Sequence, residues 1–379
     1  MTPTSAAPRV RNYAVDFFRG CALLIIFMSH TRENPWYWFM PTRVGFADAA
    51  ELFVFCSGVV VAYAYGKTYA RAGFFLGLAK TAKRCLELYA VHILLIIAFL
   101  FFAVEARQLT GIDYPQDAGL NFFITQPDIA IQQILGLYYV PNFLDILPMY
   151  FVLLAMLPVM ILLSRIHPLL MLGTSLAIYI AAWIFDWHFI ANSVENRPWF
   201  FNPFGWQLLF YIGYSIGAGW IRYPPDSRPL LYLCLLFFIV AIPLTYFPLH
   251  WQFHALGDAF NFLQPVMHKT PCGPLRIIYF LAMAYVARWW AIRHVEFFNR
   301  GIARWITIAG QQSLTVYACG TLMSFTAGVL IAYVQKDVWW SSVINIAGCG
   351  LLIAIAFMVR WFKNKPWQVA TIRQHHSAE

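Results

Sequence analysis

The sequence predicts an all-α polytopic membrane bundle of about ten transmembrane helices, N-terminus and C-terminus cytoplasmic. Three observations predict it. The 379 residues are 61% hydrophobic and only 11% charged, whereas a soluble chain carries about 25% charged residues. Apolar stretches near the length of a bilayer crossing recur along the whole chain. Lys and Arg gather in alternate connections between those stretches.

The apolar stretches fall at about 14–30, 46–66, 83–104, 146–164, 168–187, 205–221, 229–248, 274–290, 305–334 and 338–362. The ninth is long enough to tilt, or to break at Gly310 or Gly320. The chain then divides into a cytoplasmic tail 1–12, a transmembrane domain 13–363 and a cytoplasmic tail 364–379. With the N-terminus inside, the inner segments hold 18 of the 26 basic residues. The outer segments hold seven: Arg32, Arg43, Arg107, Arg197, Lys269, Arg276 and Lys336. Arg19 sits within the first span. An odd number of spans would destroy this asymmetry, so count and orientation support each other.

The net charge of +9 is distributed between apolar stretches and forms no single patch, which excludes nucleic acid as a partner and leaves membrane lipid. The cysteines Cys21, Cys56, Cys85, Cys234, Cys272, Cys319 and Cys349 show no metal-ligand spacing and read as buried apolar residues, so no metal is expected. No small-residue cleavage site follows the first apolar stretch, which reads as a retained helix. Two outer connections are long, 105–145 and 249–273. Their Trp, Tyr, Asn, Asp and Gln suit sugar binding, and equally suit amphipathic segments lying in the interface.

Ionisable residues inside a membrane are costly and mark function by default. The first span carries Asp16, Arg19 and His30. Arg19 and His30 are eleven residues apart, about three helical turns, which sets them on one face ~16 Å apart along the axis. Alone, His30 also fits an interfacial histidine. Asp48 and Glu51 open the second span at the depth of His30. A carboxylate there would orient the imidazole and raise its basicity; the plainer reading is capping of the helix start. Ser57 and Gly58 follow, as small residues that pack helices.

In the third span, Lys80, Lys83 and Arg84 form a basic group at the inner mouth, with His92 about two turns deeper. It suits anionic lipid or the phosphates of a cytosolic donor. Asn202, Trp206 and Gln207 gather polar groups at the outer end of the sixth span. Lys269 and Arg276 are cations on the side that topology disfavours, a reason to expect them to hold an anion. Gln312 and Ser313 lie about two turns into the ninth span. No phosphate loop, HExxH or GxSxG motif occurs.

The segments DFFRG with the His30 end, GFADAAELFVFCSG, FNPFGWQLLFYIG, KTPCGPLR and GQQSLTVY resemble the OpgC proteins, succinyltransferases of periplasmic glucans within the acyltransferase-three superfamily. The resemblance runs from about residue 11 to 362 and includes the superfamily's motif of Arg, ten residues, then His, as Arg19 and His30. It implies ten core helices in a bacterial inner membrane, cytoplasmic acyl-CoA as co-substrate with no tightly bound cofactor, and a periplasmic glucan as acceptor. It carries the catalytic base onto His30, a structural or donor-side role onto Arg19, and the acidic second-span motif onto Asp48 and Glu51. The chain departs from the family at Gln312, where Asn is typical, and at Tyr317 to Cys319, where a His often follows.

The sequence therefore points to a membrane O-acyltransferase with His30 as general base and Glu51 or Asp48 orienting it. Donor contacts are expected from Arg19, Lys80, Lys83, Arg84, His92, Gln312 and Ser313. Acceptor or acyl contacts are expected from Asn202, Trp206, Gln207, Lys269 and Arg276. The alternative is a transporter or flippase for an anionic glycan or polyol.

Overall fold

The computed structural model describes residues 12–193 and 195–367. Apart from Asn12, the tail expected at 1–12 lies outside the described residues, as do residues 368–379 of the tail expected at 364–379.

The chain is almost wholly helical, and a helix stands at each expected span: α1 Tyr13–His30, α2 Ala49–Val61, α3 Phe74–Thr110, α4 Ile146–Ile166, α5 Pro168–Ile184, α6 Pro203–Ala218, α7 Arg228–Thr245, α8 Pro274–Ala291, α9 Gly301–Gln311, α10 Ser313–Tyr333 and α11 Val338–Lys363. Among the described residues, seven segments are long and apolar enough to cross a membrane: α1, α2 with its extension to Arg71, α3, α4, α7, α10 and α11. The other expected spans are helical too. The helix α5 is apolar but has 17 residues and α6 has 16; α8 has 18 and carries Arg276 and Arg288.

Three boundaries depart from expectation. The helix α2 runs through a π-turn at Ala62–Gly66 into Lys67–Arg71. A π-turn displaces carbonyls from their usual donors, and Lys80 Nζ reaches Ala64 O at 2.7 Å. The helix α3 spans 37 residues, about 55 Å at 1.5 Å per residue, because Phe74–Ala82 stays helical beyond the apolar stretch. The expected ninth span is two helices, and the break falls at Gln312 instead of at Gly310 or Gly320. Gly310 is held by packing: a Cβ there would collide with Asp16 O of α1.

Close backbone contact explains the bundle's centre. The helix α1 packs against α2, α9 and α10, and α2 against α6. A Cβ at Gly58 would strike Phe210 O, and one at Gly213 would strike Phe55 O. Small residues let α2 and α6 approach to backbone distance, where dispersion and polar contacts drive helix association in a membrane.

The long connections contain short helices, Tyr114–Asp117, Asn121–Thr125 and Pro127–Leu135 in one, Phe247–Gln252 and His254–Met267 in the other. A two-stranded ladder, β1 Ile190–Asn192 and β2 Arg197–Pro198, lies between α5 and α6. Tyr139 bridges to Asn192, and Val140 N donates to Ala191 O at 2.8 Å. These bonds tie the α3–α4 connection to the α5–α6 connection beside the His30 end of α1.

Candidate functional site

A cavity of about 350 Å³ lies at the His30 end of α1. His30, Ser29 and Ile26 line it from α1, and Asp48, Ala49 and Ala50 from the start of α2. The connections add Asn142, Phe143, Asp145, Arg197, Phe200, Phe201 and Lys269. His30 Nδ1 is buried without a hydrogen-bond partner. The Phe143 ring stands edge-on to the imidazole, 5.5 Å between centroids, on a backbone with φ of 70°. A non-glycine residue occupies that region only at a cost, so the ring's placement is imposed by its surroundings.

The two carboxylates form a capping box, the plainer of the two sequence readings. Asp48 Oδ1 accepts from Ala50 N at 2.8 Å, and Glu51 Oε2 from Asp48 N at 2.8 Å. Their remaining oxygens face cations. Lys269 Nζ meets Asp48 Oδ2 at 2.6 Å, and Arg276 meets Glu51 Oε1 at 2.6 Å and Asp48 Oδ2 at 3.4 Å. All four groups are drawn together from segments more than 200 residues apart. Asp48 thus shares the cavity with His30 while its carboxylate bonds Lys269, and Glu51 bonds Arg276, not the imidazole.

Three expected contacts have internal partners. Asn202 caps α6 through Phe204 N and donates to Trp187 O at 2.6 Å. Trp206 Nε1 donates to Lys269 O and Thr270 O, at 3.2 and 3.1 Å. Gln207 exchanges bonds with Ser175, at 2.6 and 2.7 Å. All three are buried and lie outside the cavity lining; Trp206 holds the backbone that presents Lys269.

At the other end of α1 lies a second cavity of about 600 Å³. It is bounded by α1 from Tyr13 to Phe18, by Leu52, Phe55, Cys56 and Lys67 of the second span, and by Phe280 to Ala291 of α8. Along α2 the two linings stop at Ala50 and resume at Leu52. Glu51, buried and bonded to Arg276, is the residue between. That step is about 3 Å along the helix axis and about 200° around it, so the two cavities lie on opposite sides of α2.

The remaining expected residues are scattered. Arg19 Nη2 donates to Ser313 Oγ at 2.5 Å, joining α1 to α10 in the buried centre. Gln312 Oε1 accepts from Lys363 Nζ at 2.6 Å. Lys80 is bonded at the π-turn, Arg84 pairs with Glu87 at 2.9 Å, and Lys83 is exposed on the same helix. None of these three lines either cavity. His92 is buried in α3 with both ring nitrogens unpartnered, away from both linings.

Sequence reasoning missed Asn142, Asp145 and Arg197. Arg197 carried the same signal as Lys269, a cation on the disfavoured side; Asn142 and Asp145 carried none, because they reach the site through the fold of a connection. Asp145 is buried, and burial pushes its carboxyl up to about 6 against the pull of Arg197.

The family described as OpgC protein matches residues 11–364. No curated protein and no solved structure matches the chain.

Proposed function

The chain belongs to the OpgC family of glucan-modifying membrane acyltransferases, and from that membership we propose that it moves an acyl group, succinyl in the first instance, from cytoplasmic acyl-CoA to a hydroxyl of a periplasmic glucan. In this reading the chain crosses a bacterial inner membrane ten times, with Tyr13 at the cytoplasmic end of α1 and His30 at the periplasmic end.

The observation that carries the reading is the pair of cavities, one at each end of α1, whose linings on α2 are separated in sequence by Glu51 alone. A transferase whose substrates arrive from two sides needs a cavity for each. The donor arm enters between α1, α2 and α8. The glucan hydroxyl enters the polar cavity and hydrogen-bonds to the free His30 Nδ1. His30 takes the hydroxyl proton as the oxygen attacks the thioester carbonyl. The carbon–sulfur bond then breaks, and the proton passes from the imidazolium to the CoA thiolate. General-base help of this kind is worth about 10²–10⁴-fold in rate, with positioning of the two substrates adding to it. The carboxylate of a succinyl group would compete with Asp48 and Glu51 for Lys269, which lines the His30 cavity, and for Arg276 beside it in the same ion-pair cluster.

The test is purified protein in detergent with succinyl-CoA. Release of free thiol that depends on added glucan supports the transferase. Saturable glycan flux into liposomes without any acyl donor, and no thiol release, would replace it with the transporter. Mass spectrometry of glucans from cells with and without the gene then identifies the acyl group by its mass.

A further inference from the structure

A third cavity, of about 550 Å³, adjoins the apolar one at the Tyr13 end and shares Tyr13 and Phe298 with it. Its character is opposite. Arg304 of α9 and Arg360 and Lys363 of α11 line it together with Gln312 and Asn364, and no carboxylate does among the described residues. Arg360 and Lys363 are three residues apart on the last turn of α11 and so project from one side of it. Arg304 belongs to a different helix, yet borders the same space. Lys363 is tied by Gln312, the residue at the break between α9 and α10.

We infer that this basic cavity takes the phosphate-bearing nucleotide end of the donor, while the apolar cavity beside it takes the donor's uncharged thiol-bearing arm. The inference rests on the acyl-CoA reading above and gives that donor its orientation. Guanidinium forks match phosphate oxygens in pairs, and three cations with no acid among them favour a polyanion. An arm leading from Arg304 past Tyr13 and Phe298 runs toward Leu52 and Cys56, one residue short of Glu51. The basic group on α3 lines none of these three cavities, and two of its members are engaged elsewhere: Lys80 is occupied by Ala64 O and Thr68 Oγ1, and Arg84 by Glu87. Lipid phosphates share the same chemistry, so the test separates the two sources.

The experiment compares the full chain with the variant Arg304→Gln/Arg360→Gln. Arg304 is exposed and Arg360 half-buried, so the fold should tolerate the change. The readouts are turnover against succinyl-CoA concentration and equilibrium binding of CoA and of pantetheine, the latter needing no turnover. The expected result is a donor KM and a CoA Kd raised about ten- to a hundredfold, the size of lost charge-assisted bonds. The kcat, the glucan KM and pantetheine binding should stay put. Four outcomes would overturn it: an unchanged donor KM in an active variant; CoA bound by the wild type no tighter than pantetheine; a KM effect confined to Lys80→Gln/Lys83→Gln/Arg84→Gln; or a variant that loses only its response to phosphatidylglycerol in nanodiscs. Wild-type protein that binds CoA here yet releases no thiol with any glucan would contradict the transferase reading instead.

Discussion

The cavities on either side of Glu51 differ in what walls them. The one at the His30 end is bordered by Asp48, Asp145, Arg197 and Lys269, and most of its lining comes from connections between helices. The one at the Tyr13 end is walled by Val15, Phe18, Phe55, Phe280 and a run of alanines, nearly all on helices. Charged groups far from water need partners, so the first cavity is stitched by ion pairs. The second is walled mainly by apolar side chains, with Lys67 and Arg288 as its charged members. Under the proposed function, the difference teaches that the acceptor and the donor would be received by different kinds of wall, one on either side of Glu51 in sequence.

The ion pairs offer the largest way to break this contrast. Glu51→Leu leaves the buried Arg276 with only its 3.4 Å contact to Asp48. Breaking a buried pair on one side costs about 3–5 kcal/mol, and thermal unfolding in detergent should show it. Glu51→Leu/Arg276→Leu should recover part of that loss, since the stranded charge goes too. Next comes filling the apolar cavity. Ala287→Trp projects a large ring into its lining and should raise the donor KM about tenfold or more while leaving the glucan KM unchanged. An equal rise in both would show that the two cavities are not separate in function.

The smallest effect is a pH dependence in the His30-side wall. The Asp145 carboxyl, lifted by burial to about 6, binds a proton more readily in the folded chain than in the unfolded one. Its ionisation therefore costs stability, and stability should fall as pH rises from about 4 through 6. Between pH 5 and 7 the loss is about 1 kcal/mol. Asp145→Asn should remove that component, so that its melting temperature changes less between pH 5 and pH 7 than the wild type's.

The helices were legible because apolar length and basic loops are properties of the chain itself. Their ends were less so: Phe74–Ala82 stays helical past the apolar stretch, and Gly310, which reads as a breaker, is a packing residue against Asp16. At the site, His30, Asp48 and Lys269 were legible because each is a polar group where the membrane makes polarity costly, and they do border one cavity. What they bond to was not legible. The pairing of Glu51 with Arg276 joins positions 225 residues apart, and no local spacing encodes it. Asn202, Trp206 and Gln207 carried the same polar signal as the cavity residues, yet their partners are backbone carbonyls and Ser175. Arg304, Arg360 and Lys363 read only as topology charges until the fold brought α9 beside α11.

The central claim is that chemistry occurs in the His30 cavity with the imidazole as base. The direct measurement is glucan-dependent thiol release from succinyl-CoA by His30→Ala, purified beside the wild type and matched to it in melting temperature. The account predicts a rate lower by about 10²–10⁴-fold with glucan binding retained. Wild-type turnover in that variant would contradict it.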